Sequence, residues 1–143
     1  MFPTYQLIAT EARAKLKERN VSEVPFILFA KGANHSIGAL AESSGWDVLS
    51  LDWLVEPVVA RSSSGGKVAL QGNLDPNVLY GGREAISREV QRTALGFKVD
   101  GRSKGHIFNL GHGITPGVDP EDLRYFFECV HKYTQSQSFN LPL

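Results

Sequence analysis

The 143-residue chain has one cysteine, one methionine and no net charge, its 15 basic side chains balancing 15 acidic ones. A lone cysteine, Cys129, excludes an internal disulfide framework and every cysteine-rich zinc centre. It also points to a reducing compartment, so a cytoplasmic location is expected. The cancelled charge leaves no electrostatic footprint for nucleic acid or for an anionic membrane surface, and neither is expected as a partner. No apolar run approaches the roughly 18 residues of a membrane span. Met1-Phe2-Pro3-Thr4-Tyr5 has neither a basic nor an apolar leader region, so no signal peptide is expected. The dinucleotide glycine pattern, the phosphate loop and the Gly-x-Ser-x-Gly elbow are all missing. The four histidines, His35, His106, His112 and His131, contain no H-x-x-x-H pair. No metal site is therefore expected.

What the chain does have is ordinary globular composition, 42% hydrophobic and 21% charged, in a length that suits one domain with a real core. Four short β-rich runs stand out, at 24–30, 46–51, 67–72 and 105–110. Each is nearly continuous in apolar residues, as expected of strands buried on both faces. Helical spacing separates them: Tyr5, Ile8, Ala12 and Leu16 within 3–19, Ile37, Leu40 and Ala41 up to Ser44-Gly45, Ile86, Val90 and Ala94 across 83–95, and Leu123, Phe126, Phe127, Val130 and Tyr133 at the end. Ser62-Ser63-Ser64-Gly65-Gly66 reads as a flexible turn. Strand and helix in alternation predict an α/β fold of parallel βα units, either a small open sheet or half of an eight-stranded barrel. Asp75-Pro76 and Asp119-Pro120 each place a capping carboxylate before a proline that has no N–H to lose, so two helices should begin there.

Ligands of parallel βα folds sit beyond the carboxyl ends of the strands. The residues leaving those ends are Lys31, Asn34 and His35; Asp52 and Trp53; Gln71, Asn73 and Asp75; and Asn109 and His112. His112 stands between Gly111 and Gly113. Its spacing is equally compatible with a ligand-facing imidazole and with a loop histidine satisfied by a carbonyl. Asp52 reads as a turn residue ahead of a site carboxylate, and Asp75 and Asp119 as caps. The loop from Lys31 to His35 reads as a plain βα turn ahead of an anion site. His106 and His131 read as structural, and Cys129 as a small buried hydrophobe.

Phe29-Ala30-Lys31-Gly32, Leu51-Asp52-Trp53, Leu70-Gln71-Gly72-Asn73-Leu74-Asp75-Pro76 and Gly105-His106-Ile107-Phe108-Asn109-Leu110-Gly111-His112-Gly113 occur in the same order in a known family. Together they make the chain resemble the carboxyl-terminal half of the uroporphyrinogen decarboxylases. That resemblance implies barrel strands five to eight of a (β/α)8 TIM-type barrel. It implies removal of the four acetate carboxyls of uroporphyrinogen to give coproporphyrinogen, with neither metal nor organic cofactor. His112 matches the histidine of the family's Asn-Leu-Gly-His-Gly segment, which implies a substrate-binding and catalytic role at the barrel mouth. The family's arginines, aspartate, tyrosine and serine precede the matched region, and its members are more than twice as long. Residues 1–143 are thus expected to form a single partial domain, with 136–143 a flexible tail and no activity in isolation. The start at Met1-Phe2-Pro3 fits a break in the linker before a helix. The expected partners are the tetrapyrrole substrate and either a second copy in a homodimer or the amino-terminal half. Two alternatives are a non-catalytic half-barrel that self-associates through its sheet edges and a related corrinoid or thiol methyltransferase. The methyltransferases are expected to carry a zinc-ligating cysteine where His112 stands.

Overall fold

The computed structural model describes residues 2–99 and 105–134. Its elements run α1 (Phe2–Glu18), β1 (Ile27–Phe29), a 3-10 turn (Asn34–Ser36) leading into α2 (Ile37–Ser43), β2 (Val48–Ser50), and α3 (Pro57–Ser64). Then come β3 (Ala69–Leu74), a second 3-10 turn (Pro76–Tyr80), α4 (Gly82–Gly96), β4 (His106–Leu110) and α5 (Pro120–Thr134). Residues 136–143, expected to be a flexible tail, lie outside the described residues.

The four strands form one parallel sheet in the order β1-β2-β3-β4. That order decides between the two architectures left open above. A right-handed crossover repeated in one direction keeps every helix on the same face of the sheet, and a doubly wound sheet has to reverse. Here there is no reversal. The sheet is singly wound, as in one half of a barrel.

Side-chain alternation then sorts the strands into two unequal faces. Leu28, Leu49 and Leu70 lie side by side in register, all buried. They pack against Ile37, Leu40 and Ala41 of α2, Ala60 of α3, and Phe97. A second cluster under the C-terminal end joins Leu74, Leu79, Ile86, Val90, Phe126 and Cys129. The cysteine is indeed buried. The opposite face is different. Phe29, Ser50, Gln71 and Ile107 follow one another across the register, and Phe29 and Ile107 remain 45% and 42% exposed. The expectation of strands buried on both faces therefore fails for β1 and β4. The helices packed in these two clusters cover one side, and the other is left open.

A second difference is α3. Its inward residues, Pro57, Ala60 and Ser64, are too small and too polar to register as an apolar stripe. The boundary signals were nevertheless present, with proline at the first helical position and Gly65 ending the helix in the left-handed conformation at φ 57°. The three serines, read as part of a flexible turn, are the helix's last turn. The two caps are as expected, although the Asp75 helix is 3-10 in form. Asp75 accepts from the Asn77 N–H at 2.9 Å, and Asp119 from the Glu121 N–H at 2.8 Å.

His106 is structural. Its ring stacks on Phe97 with centres 4.0 Å apart, and Nε2–H donates to the Gly72 carbonyl at 2.8 Å. Burial pushes its pKa down to about 4; the Gly72 bond opposes that shift and the Arg61 charge adds to it. The ring takes up a proton more readily in the unfolded chain, so its contribution is complete above pH ~6.5 and is lost as the pH falls towards ~4. The loss between those limits is on the order of 3 kcal/mol. Urea denaturation should show the parent chain weakening by about that much across the window. His106→Gln, which keeps an N–H donor but does not ionise, should be nearly flat there.

Candidate functional site

The carboxyl ends of the four strands carry their exit loops to one rim, and Asp52 ties that rim together. It leaves β2 only 2% exposed. Oδ2 accepts from the Gly32 N–H at 2.9 Å, and Oδ1 accepts from Asn34 Nδ2 at 2.6 Å and from the Leu54 N–H at 3.0 Å. The Leu54 bond is the local turn that the sequence suggests. The other two reach back across the β1 exit. Burial opposes ionisation of Asp52, but those donors and the Lys31 charge outweigh it and hold the carboxyl below the usual carboxylate range. With three N–H groups on its two oxygens and almost no exposure, Asp52 serves the fold as the anchor of the rim.

Asn73 extends the tie from β3. Its Nδ2 donates to the backbone carbonyls of Asp52 at 2.9 Å and Val55 at 2.7 Å. Gly111 closes the series from β4. Its N–H donates to the Leu74 carbonyl at 2.7 Å, and a Cβ at this position would stand 2.5 Å from the Trp53 nitrogen and 3.0 Å from the Asp52 carbonyl carbon. Glycine is required here because the β4 exit is pressed against the β2 exit. A Cβ on Gly113, in contrast, would meet nothing within 4 Å. The two glycines around His112 are therefore not equivalent: one is needed for the protein's own backbone packing, and the other borders open space.

His112 is exposed at this rim. Its ring and the indole of Trp53 meet edge to face, with centres 5.9 Å apart and planes at 73°. Its Nδ1 comes only to 3.5 Å from the Gly113 carbonyl, too far to satisfy the ring. The imidazole borders a hollow of about 480 Å³ that runs from Phe29, Ser50 and Gln71 on the uncovered sheet face, past Asn109, to Leu123 and Phe126 of α5. Gln71 Nε2 donates to Ser50 Oγ at 3.0 Å. Lys31 places its ammonium 5.6 Å from the centre of the Trp53 ring. His35 sits exposed in the first 3-10 turn, and Asp75 is occupied with its cap. His131 is exposed on α5. Among the described residues no three His, Cys, Asp or Glu side chains gather as a metal ion would need.

The family model for uroporphyrinogen decarboxylase (URO-D) matches residues 1–133. The chain belongs to the uroporphyrinogen decarboxylase family. It is 47% identical over 133 residues to the uroporphyrinogen decarboxylase of Schizosaccharomyces pombe, covering 92% of this chain and 36% of that protein. It is 44% identical to that of Danio rerio, covering 93% of this chain and 35% of the relative. The chain thus spans about a third of the length of these family members. A solved methyltransferase from Methanosarcina mazei superposes with a TM-score of 0.70 over 93% of this chain and 35% of its own, at 17% identity. That likeness concerns the fold.

The sequence places the rim residues of this family member at strand exits, but it does not reveal which of them meet. The Asp52 carboxylate finds donors 20 and 18 residues back, and only the Asp-x-Leu turn is visible locally. Gly111→Ala drives backbone into backbone, which no rotamer change relieves. Chemical denaturation should show it losing about 2–3 kcal/mol. Gly113→Ala should stay within about 0.5 kcal/mol of the parent.

Proposed function

We propose that residues 1–143, as a single partial domain, supply the carboxyl-terminal half of a uroporphyrinogen decarboxylase active site, with His112 as this chain's substrate-binding and catalytic residue. The observation that carries the reading is the position of His112. Within the family segment Asn109-Leu110-Gly111-His112-Gly113 it stands exposed at the strand-exit rim, bordering the hollow that runs from the uncovered sheet face to α5. In the reaction a proton adds to the pyrrole carbon next to the one that bears an acetate arm, which leaves the cation conjugated with that arm. The cationic ring accepts the electron pair of the breaking carbon–carboxylate bond, and carbon dioxide leaves. A second proton takes its place on the arm and the ring proton is released, so each acetate becomes a methyl group. Nothing in this sequence of steps calls for a metal or an organic cofactor. His112 can donate a hydrogen bond to a substrate carboxylate, or the proton itself.

The remaining arms of the site come from the amino-terminal part of the barrel. β1 and β4 each lie at an edge of the sheet, and further barrel strands along both edges would also cover Phe29 and Ile107. A homodimer in the cytoplasm is the expected state of the completed enzyme. No described helix is long and apolar enough to cross a membrane. The same open edges favour a second reading, in which the chain persists as a non-catalytic half-barrel and pairs with another copy of itself. A methyltransferase role has less support. The likeness to one rests on fold alone, and the one cysteine, Cys129, is buried in α5 away from the strand exits.

Purified chain should not turn over uroporphyrinogen, while mixing it with the amino-terminal portion of a relative such as the Schizosaccharomyces pombe enzyme should produce coproporphyrinogen. In that mixture His112→Gln should lower kcat/KM by about 10- to 100-fold, the cost of one charged hydrogen bond. Normal turnover by the chain alone would overturn the dependence on a second half. A stable dimer in light scattering, with no activity on complementation, would favour the self-associating module.

A further inference from the structure

The strand-exit rim also holds a cation that the decarboxylase reading has not used. Lys31 leaves β1 with an exposed side chain. Among the described residues it donates no hydrogen bond and enters no ion pair. Its closest carboxylate influence is Asp52, whose oxygens already accept from Gly32, Asn34 and Leu54. The ammonium instead rests 5.6 Å from the centre of the Trp53 ring, and the same indole faces His112 with ring centres 5.9 Å apart. One aromatic side chain is thus flanked by two groups able to donate to an anion. Neither group is satisfied by the protein.

We propose that Lys31 and His112, set apart by the indole of Trp53, form a two-point grip for carboxylates at the rim. The inference rests on the decarboxylase reading, which supplies the ligand class: a tetrapyrrole whose carboxylate arms stand on neighbouring ring positions. Three physical features favour it. A cation–π contact at an exposed site is weak enough for the ammonium to leave the indole when a carboxylate arrives. The indole excludes water from one side of both donors, which strengthens a charge-assisted hydrogen bond to either. Trp53 is itself held in place, because the Asp52 turn and the Gly111 approach fix the backbone on which it stands. The indole therefore keeps both donors at the rim before the ligand arrives.

The test uses the full 143-residue chain carrying Trp46→Phe, so that Trp53 is the remaining tryptophan. Uroporphyrin, the oxidised octacarboxylate that cannot react, is titrated at constant ionic strength, and quenching of Trp53 fluorescence reports binding. Lys31→Gln should raise the dissociation constant ~3- to 10-fold, and Lys31→Arg should stay within ~2-fold of the parent, since it keeps the charge. Circular dichroism should not change in either variant, and the thermal midpoint should fall only slightly in Lys31→Gln, which loses the contact with Trp53 and the charge beside Asp52 but no hydrogen bond. Equal binding by Lys31→Gln and parent would overturn the proposal. So would the absence of quenching in the parent, because both donors lie on this chain. Weaker binding in His112→Gln with unchanged binding in Lys31→Gln removes the lysine from the grip but leaves the decarboxylase reading standing. That reading is decided separately by turnover in the complemented enzyme.

Discussion

The rim of this half-barrel depends on one buried carboxylate. Asp52 gathers two donors from the β1 exit and one from its own turn, and Asn73 takes hold of the Asp52 carbonyl from the β3 side. Left without these partners, a charge at 2% exposure would cost several kcal/mol. With them it is ionised, satisfied and unable to swing elsewhere. Three loops are therefore joined around one residue. The fourth, the β4 exit carrying His112, settles on that assembly because Gly111 presents no side chain to the Trp53 backbone. Chemical freedom at the rim is left to the two groups outside this arrangement, the imidazole of His112 and the ammonium of Lys31.

A second constraint is the one-sided helical cover. Leu28, Leu49 and Leu70 form a dry seam with the helices, while Phe29 and Ile107 on the other face remain largely in water. In a closed barrel the inward residues of opposite strands fill the interior in layers, and here half of each layer is missing. The unfilled space and the hollow beside His112 are continuous in origin. Both open from the sheet face that the helices leave uncovered. This is why the site described here has donors for an anion but no enclosing wall.

The helices, their caps and the parallel alternation were legible from local signals. The spacing of Ile86, Val90 and Ala94, or of Asp119 before Pro120, acts within one or two turns of chain. The α3 helix was not legible, because its buried stripe of Pro57, Ala60 and Ser64 carries little hydrophobic contrast although it packs tightly. The double-sided burial inferred for all four strands was wrong for β1 and β4. Continuous apolar sequence indicates that both faces of a strand are meant to be covered, and it does so whether or not the covering strands are on the same chain.

The sequence by itself determined that this chain is a parallel βα protein with polar residues at the strand exits, because strand and helix periodicity, caps and breakers are written in neighbouring residues. Its motifs also determined the family. Only the tertiary structure decided which exits touch. Asp52 reads as a turn until Gly32 and Asn34 come round to it, Gly111 is needed only because the β2 exit loop presses against it, and Lys31 meets His112 only through Trp53. Those relations are set by the register and order of the strands, which bring residues 20 to 59 positions apart within hydrogen-bond or ring contact, and no local pattern in the chain records them.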